Sequence, residues 1–201
     1  MTPSEVAVLL FGGRRAPRGL RHVPVVAPDT ELDRFPASAR LVVIGAHADL
    51  AAVLTRLLRA DRLDIEVAHV RRPWQGRRAL TGTAARVPLI RDETGTVVAQ
   101  AAYWLPQQGV RMIRGEAVVD DERLFDGEVT GVRVEPIPTM PGLRATVLSR
   151  RMRPTRWVTG RAAQLGTTGA VVVRDGEPGP RPVRRSTFYR HTEGWLRVGP
   201  R

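Results

Sequence analysis

The chain has 201 residues, enough for one domain or two small ones, and a core of that size folds without covalent staples. It contains no cysteine, no lysine and no asparagine. That excludes disulfides, cysteine-based zinc sites, the lysines of P-loop and protein kinases, and Schiff-base chemistry. All 32 basic residues are arginine and the net charge is +12. Residues 140–201 hold thirteen arginines against three acids, Asp175, Glu177 and Glu193, so nearly all of the surplus lies there. A basic half attracts polyanions: nucleic acid, anionic lipid headgroups or phosphorylated ligands.

From the N-terminus, Glu5–Phe11 is a short apolar run fit for a buried strand. It leads into Gly12-Gly13-Arg14-Arg15, a loop whose backbone N–H groups and guanidinium groups suit a phosphate as well as a plain connection. Pro24, Pro28 and Pro36 keep residues 22–38 from forming one helix. Arg40–Gly45 is the clearest strand. Asp49 follows as an N-cap, and Leu50, Val53, Leu54, Leu57 and Leu58 recur at helical spacing. Ile65–Val70 reads as the next strand. Strand, helix and strand in that order imply a parallel sheet.

Helical periodicity fades near residue 86. Val87–Arg91 and Thr96–Ala101 flank a DETG turn and predict a hairpin. Val129–Val134, Arg144–Ser149, Arg156–Gln164, Gly169–Arg174, Val183–Arg190 and Trp195–Val198 complete a mostly antiparallel β region. The predicted class is α/β joined to β. An N-terminal three-layer α/β domain spans residues 1–85, and an antiparallel, basic β-sandwich-like domain spans residues 86–201.

Four segments in this order resemble the catalytic fold of the diacylglycerol and sphingosine kinases, which is related to NAD kinases. Val42-Val43-Ile44-Gly45-Ala46-His47-Ala48-Asp49-Leu50 stands where that family has VVIGGDGTL. Leu80-Thr81-Gly82-Thr83-Ala84-Ala85-Arg86 stands where it has LGTxND. Asp120-Asp121-Glu122-Arg123-Leu124-Phe125-Asp126-Gly127 is similar to its LDDG segment, and Val172-Val173-Arg174-Asp175-Gly176-Glu177 to its DGE turn. The resemblance implies that Gly45, Ala46, His47, Gly82 and Thr83 fall at a nucleotide site, and the loop of Gly12 and Gly13 is a further cofactor-binding candidate by its own N–H groups. The resemblance also implies Asp175 as general base with Glu177 beside it, and Asp121 and Asp126 as carboxylates for a metal. ATP and Mg²⁺ are the cofactors only if the chain is an active kinase.

The departures bear on that chemistry. Glycines in the family's loop let backbone N–H groups approach phosphates. Here Ala46, His47 and Ala48 replace all but Gly45 of that run, and Ala85 and Arg86 replace the Asn and Asp of the second loop. Phosphoryl transfer rests on such positioning. The first reading is therefore a degenerate relative, a pseudokinase that acts as a non-catalytic ligand- or partner-binding or regulatory module near anionic lipid. The alternatives are a divergent active lipid or small-molecule kinase, and an arginine-rich binder of nucleic acid or acidic protein.

Each residue also has a plainer role. Asp175-Gly176 and Asp126-Gly127 are hairpin-turn dipeptides. Asp120, Asp121 and Glu122 form an acidic turn. His22, His47, His69 and His191 show no metal-binding spacing, and Ser149 and Ser186 lack a nucleophile-elbow context. Arg150, Arg151, Arg153 and Arg156 beside Trp157, and Arg184 and Arg185 near Tyr189, are anion-binding candidates for lipid or for stacked bases. No apolar run reaches the roughly 18 residues of a membrane span, and the N-terminus lacks a basic leader, so the expected location is cytoplasmic or membrane-peripheral.

Overall fold

A computed structural model of the chain describes residues 6–31, 35–36 and 39–199. Glu5, and residues 32–34 and 37–38 of the proline-punctuated segment, lie outside these. The chain divides into two compact units: residues 1–87 with 193–201, and residues 88–192.

The first unit opens with β1 (Val6–Leu10), β2 (Val25–Val26), β3 (Arg40–Ile44), α1 (His47–Arg59), β4 (Glu66–Val70), α2 (Gly76–Thr81) and β5 (Ala84–Val87). β1 pairs in parallel with β2 and β3, and β3 with β4. Alternate strand residues face opposite sides. Val8, Val42, Ile44, Ala68 and Val70 share one face with Leu20, Val23 and Ala79. Leu41, Val43 and Val67 are buried on the other face, and α1, which contacts β3, buries Leu50, Val53, Leu54 and Leu57. The apolar spacing of residues 50–58 is thus the stripe that docks the helix.

The second unit is antiparallel. Its strands are β6 (Ile90–Asp92), β7 (Val97–Val98), β8 (Ala102–Leu105), β9 (Ile113–Val119), β10 (Glu122–Val129), β11 (Val132–Pro136), β12 (Leu143–Leu148), β13 (Pro154–Gly160), β14 (Ala162–Arg174), β15 (Glu177–Pro178) and β16 (Val183–Arg190). Among the described residues they form one eleven-stranded sheet. β14 is its spine. Residues 162–167 pair with β9 and β16, the register breaks between Gly166 and Ala170, and residues 171–174 pair with β8. The two halves face each other, since β10 contacts β12 and β9 contacts β13. Trp104 stacks on Phe188 in the core between them, ring centroids 5.6 Å apart.

The final strand, β17 (Trp195–Val198), belongs to the first unit. It lies parallel to β4 and antiparallel to β5, giving the order β2-β1-β3-β4-β17-β5. The sequence reading placed residues 193–201 with the β half, because a strand's composition does not say which sheet it joins. Two other expectations change in detail. Val129–Val134 is two strands separated at Thr130-Gly131. Arg156–Gln164 breaks at Arg161, whose N–H turns to the Asp120 carboxylate at 2.9 Å.

The DETG hairpin forms, and Asp92 anchors it from a fully buried position. Its carboxylate accepts the Thr94 and Thr96 N–H groups at 2.8 and 2.9 Å and pairs with Arg174 Nη2 at 2.5 Å. Trp104 is wholly buried. Trp104→Ala is expected to cost about 3–5 kcal/mol, read as a lower midpoint in urea denaturation.

Candidate functional site

β1, β3 and β4 end in register, Leu10 beside Ile44 and Ile44 beside Val70. In open α/β sheets this carboxyl edge is where ligands bind. The chain leaves β1 through a tight turn in which Arg14 N–H donates to Phe11 O at 3.2 Å. Gly12 and Gly13 both take left-handed conformations, φ 61° and 65°, which glycine adopts without strain. Arg14 turns back, its Nη1 3.4 Å from Gly45 O. Beside it lies a cleft of about 250 Å³ lined by Arg14, Arg15, Pro17, Ile44, Val70, Arg71, Arg72 and Pro73. Ile44 and Val70 are buried, while the four arginines are exposed. Among the described residues, no carboxylate pairs with any of the four.

The loop after β3 has a closed geometry. α1 starts at His47 with Ala46 as its extended N-cap residue. Asp49 is therefore the third helical residue, not the cap that its residue type suggests. Its carboxylate reaches back to accept the Ala46 N–H at 2.6 Å, as the acidic member of a capping box does. It also lies against Gly45, where any Cβ would collide with Asp49 Oδ2. The rings of His47 and His69 meet edge-on, centroids 5.1 Å apart, and His69 Nε2 lies 3.2 Å from Gly45 O. Burial lowers the pKa of both histidines, and the nearby Arg71 charge lowers each further. At His69 the bond to Gly45 O opposes the shift.

Gly82 and Thr83 reach the same edge from α2. Gly82 is packed so closely on Gly199 O and Arg78 O that no side chain fits, and Thr83 O accepts the Gly199 N–H at 3.2 Å. Arg86 is turned to Glu193 at 2.6 Å and to Gly194 O at 2.5 Å. Gly12, Gly13, Gly45, Ala46, His47, Gly82 and Thr83 thus fall along one sheet edge.

The remaining candidates lie in the second unit. Asp175 and Gly176 form the two-residue turn between β14 and β15, with φ 51° and 96°. The Asp175 carboxylate accepts three backbone N–H groups: Ala99 at 2.8 Å, Gln100 at 2.7 Å and Ala101 at 3.0 Å. Glu177 is exposed. Asp126 is exposed on β10, 3.7 Å from Arg123, and Asp121 lies in the turn before it. Among the described residues, no three His, Asp or Glu side chains gather where a metal ion would be held. Arg150, Arg151 and Arg153 occupy one exposed loop, Arg156 pairs with Glu122, and Arg184 and Arg185 are exposed on β16.

The sequence reading missed Arg71 and Arg72. The rule that drew attention to Gly12–Arg15 applies to them equally, since they follow the carboxyl end of a predicted parallel strand. It also missed that His69 and His47 meet, which required knowing that β4 lies beside β3.

The sequence matches no protein-family model and no curated protein. Its structure is similar to an NAD kinase from Archaeoglobus fulgidus in complex with ATP, with a TM-score of 0.62 and 16% identity over 96% of this chain and 93% of that one. It is similar to a diacylglycerol kinase from Bacillus anthracis, with a TM-score of 0.68 and 9% identity over 96% of both chains. The chain has the NAD kinase and diacylglycerol kinase fold. Yeast NADH kinase complexed with NADH shares it too, with a TM-score of 0.67 and 10% identity over 99% of this chain and 84% of that one. Among the described residues, no helix is long and apolar enough to cross a membrane.

Two outcomes follow from these contacts. Asp175→Ala leaves three turn N–H groups without their acceptor and is expected to cost about 1–3 kcal/mol, read by chemical denaturation. His47 and His69 have pKa values below the ordinary 6.5, so on acidification the unfolded chain takes up protons that the folded one refuses. Their contribution to stability is present above pH 6.5 and is lost as pH falls through the folded values. The melting temperature is expected to drop over that window, and His69→Gln to flatten the slope relative to the parent.

Proposed function

We propose that this chain is a non-catalytic binding module built on a kinase fold, a pseudokinase that takes a phosphorylated small ligand at the carboxyl edge of its parallel sheet. The observation that carries this is the Asp49–Ala46 contact. A phosphate arriving at the start of α1 meets a carboxylate where a free N–H would have received it. Removing one preorganised donor costs on the order of 10²–10³ in rate, and this loop lacks several.

Asp175, the general base of an active reading, accepts three N–H bonds. These tie the carboxylate into the turn that it builds with residues 99–101. Asp121 and Asp126 form no carboxylate cluster for Mg²⁺. The residues present do not fit an ATP–Mg²⁺ pair.

The four exposed arginines around the cleft supply the positive charge instead. Guanidinium groups bind phosphate with paired N–H donors. At about 250 Å³ the cleft is smaller than the roughly 300–1,000 Å³ of whole-ligand pockets. It suits a phosphate or diphosphate group with the rest of the ligand outside.

The test is a thermal-shift titration with pyrophosphate and ATP, with and without Mg²⁺, beside an assay for phosphoryl transfer to diacylglycerol and to NAD. Ligand at 100 times Kd is expected to stabilise by about 2.7 kcal/mol, without need of Mg²⁺. Arg14→Gln with Arg71→Gln is expected to abolish the shift. Mg²⁺-dependent transfer from ATP to either acceptor would overturn the non-catalytic reading.

A further inference from the structure

The second unit carries an unusual edge. β8 and β12 both pair with β11, so they run in the same direction, and Trp104 and Val147 lie level on either side of Val132. The segments that leave them, residues 106–112 and 149–153, therefore emerge at one edge of the sheet. They are two strand positions, about 10 Å, apart. Neither segment contains an acid. Together they expose Arg111, Arg150, Arg151 and Arg153. They also expose Val110 and Met152, at 56% and 49% of their surface.

Met152 is the most informative of these. Its φ of 57° is a left-handed conformation that favours glycine and strains a side chain. The loop holds it there firmly: Met152 N–H donates to Ser149 O at 2.8 Å, and Ser149 N–H to Arg153 O at 2.9 Å. A position suited to glycine thus carries a large apolar side chain, half in water, between arginines on both sides. Neither backbone strain nor packing favours it. A partner with an apolar layer under a negative surface does.

Val183 extends the same edge, since it pairs with Ala170, next to the Val171 that pairs with Leu105. Arg184 and Arg185 follow it, exposed. The acids nearest this edge lie on the adjoining strands and turns: Glu93, which accepts the Thr187 N–H at 2.9 Å, Glu116 across Gly166 from Arg185, and Glu128 opposite Arg114.

We infer that the edge formed by residues 106–112 and 149–153 docks on an anionic lipid bilayer, the arginines meeting headgroups and Met152 and Val110 entering the interface. The charge is complementary, and two exposed apolar tips flanked by arginines match an apolar layer beneath an anionic surface. This inference is independent of the cleft in the first unit.

The test is co-sedimentation of the full chain with phosphatidylcholine vesicles, with and without phosphatidylserine. Binding is expected only with phosphatidylserine, and to weaken as salt rises. One arginine near an anionic surface is worth about fivefold in affinity, so R150Q/R151Q/R153Q is expected to lose on the order of 100-fold. M152G is expected to lose about tenfold, the worth of burying much of an apolar side chain, while the melting temperature holds or rises. R14Q/R71Q is expected to bind vesicles as the parent does. Equal binding to neutral vesicles overturns the inference, as does unchanged vesicle binding by the loop variants. So does polyuridylate competing the chain off vesicles while M152G binds both as the parent does, which would make the edge a nucleic-acid surface.

Discussion

The Asp49 carboxylate satisfies the Ala46 N–H from within the same helix, and the carboxyl edge of the parallel sheet is arranged around that contact. The carboxylate rests on Gly45, which is why position 45 admits no side chain. The Gly45 carbonyl in turn draws in His69 from β4 and Arg14 from the loop after β1. The Ala46 N–H and the Gly45 carbonyl are therefore both engaged within the fold. The exposed positive charge of this edge lies further out, on the arginines that follow β1 and β4. A helix start that attracts anions in many α/β folds here carries a carboxylate on its N-cap N–H.

A second constraint comes from composition. The chain has no asparagine, the residue that most often shapes turns by bonding its side chain to nearby N–H groups. Aspartate does that work throughout. Asp92 holds its own hairpin, Asp120 holds the start of β14, and Asp175 ties the β14–β15 turn to residues 99–101. Among the described residues, three of the four non-glycine positions with positive φ are aspartates, and Asp120 and Asp175 are two of them. The carboxylates most readily assigned to chemistry are thus also those most needed as turn builders, and geometry alone separates the two roles.

The parallel strands and the helix between them were legible because their signal is local: the apolar run of residues 40–45 and the leucine spacing of residues 50–58 each name an element. The order of the four motif-like segments was enough to point to the fold. Pairing was not legible. Nothing in Trp195–Val198 states that it leaves the sheet of its neighbours, and nothing in Ala162–Arg174 states that one strand serves both halves of a folded sheet. The same holds at the candidate site. Gly12–Arg15 and Gly45–His47 were readable as loops at strand ends. The meeting of His47 with His69, the inward turn of the Asp49 carboxylate and the three N–H groups on Asp175 depend on partners from 3 to 76 residues away.

The placement of β17 makes the second unit an insertion within the first. β5 has its only ladder partner, among the described residues, in a strand more than 100 positions later, and one side of β4 pairs with the same strand. During synthesis, residues 88–192 are complete and able to close while the first sheet still has a gap where β17 will lie. Closing a loop of this length is an entropic cost that local contacts do not offset until the final strand arrives. The carboxyl edge of the first sheet, where Gly82 packs on Gly199, is therefore complete only once a strand more than 100 residues beyond β5 has joined it.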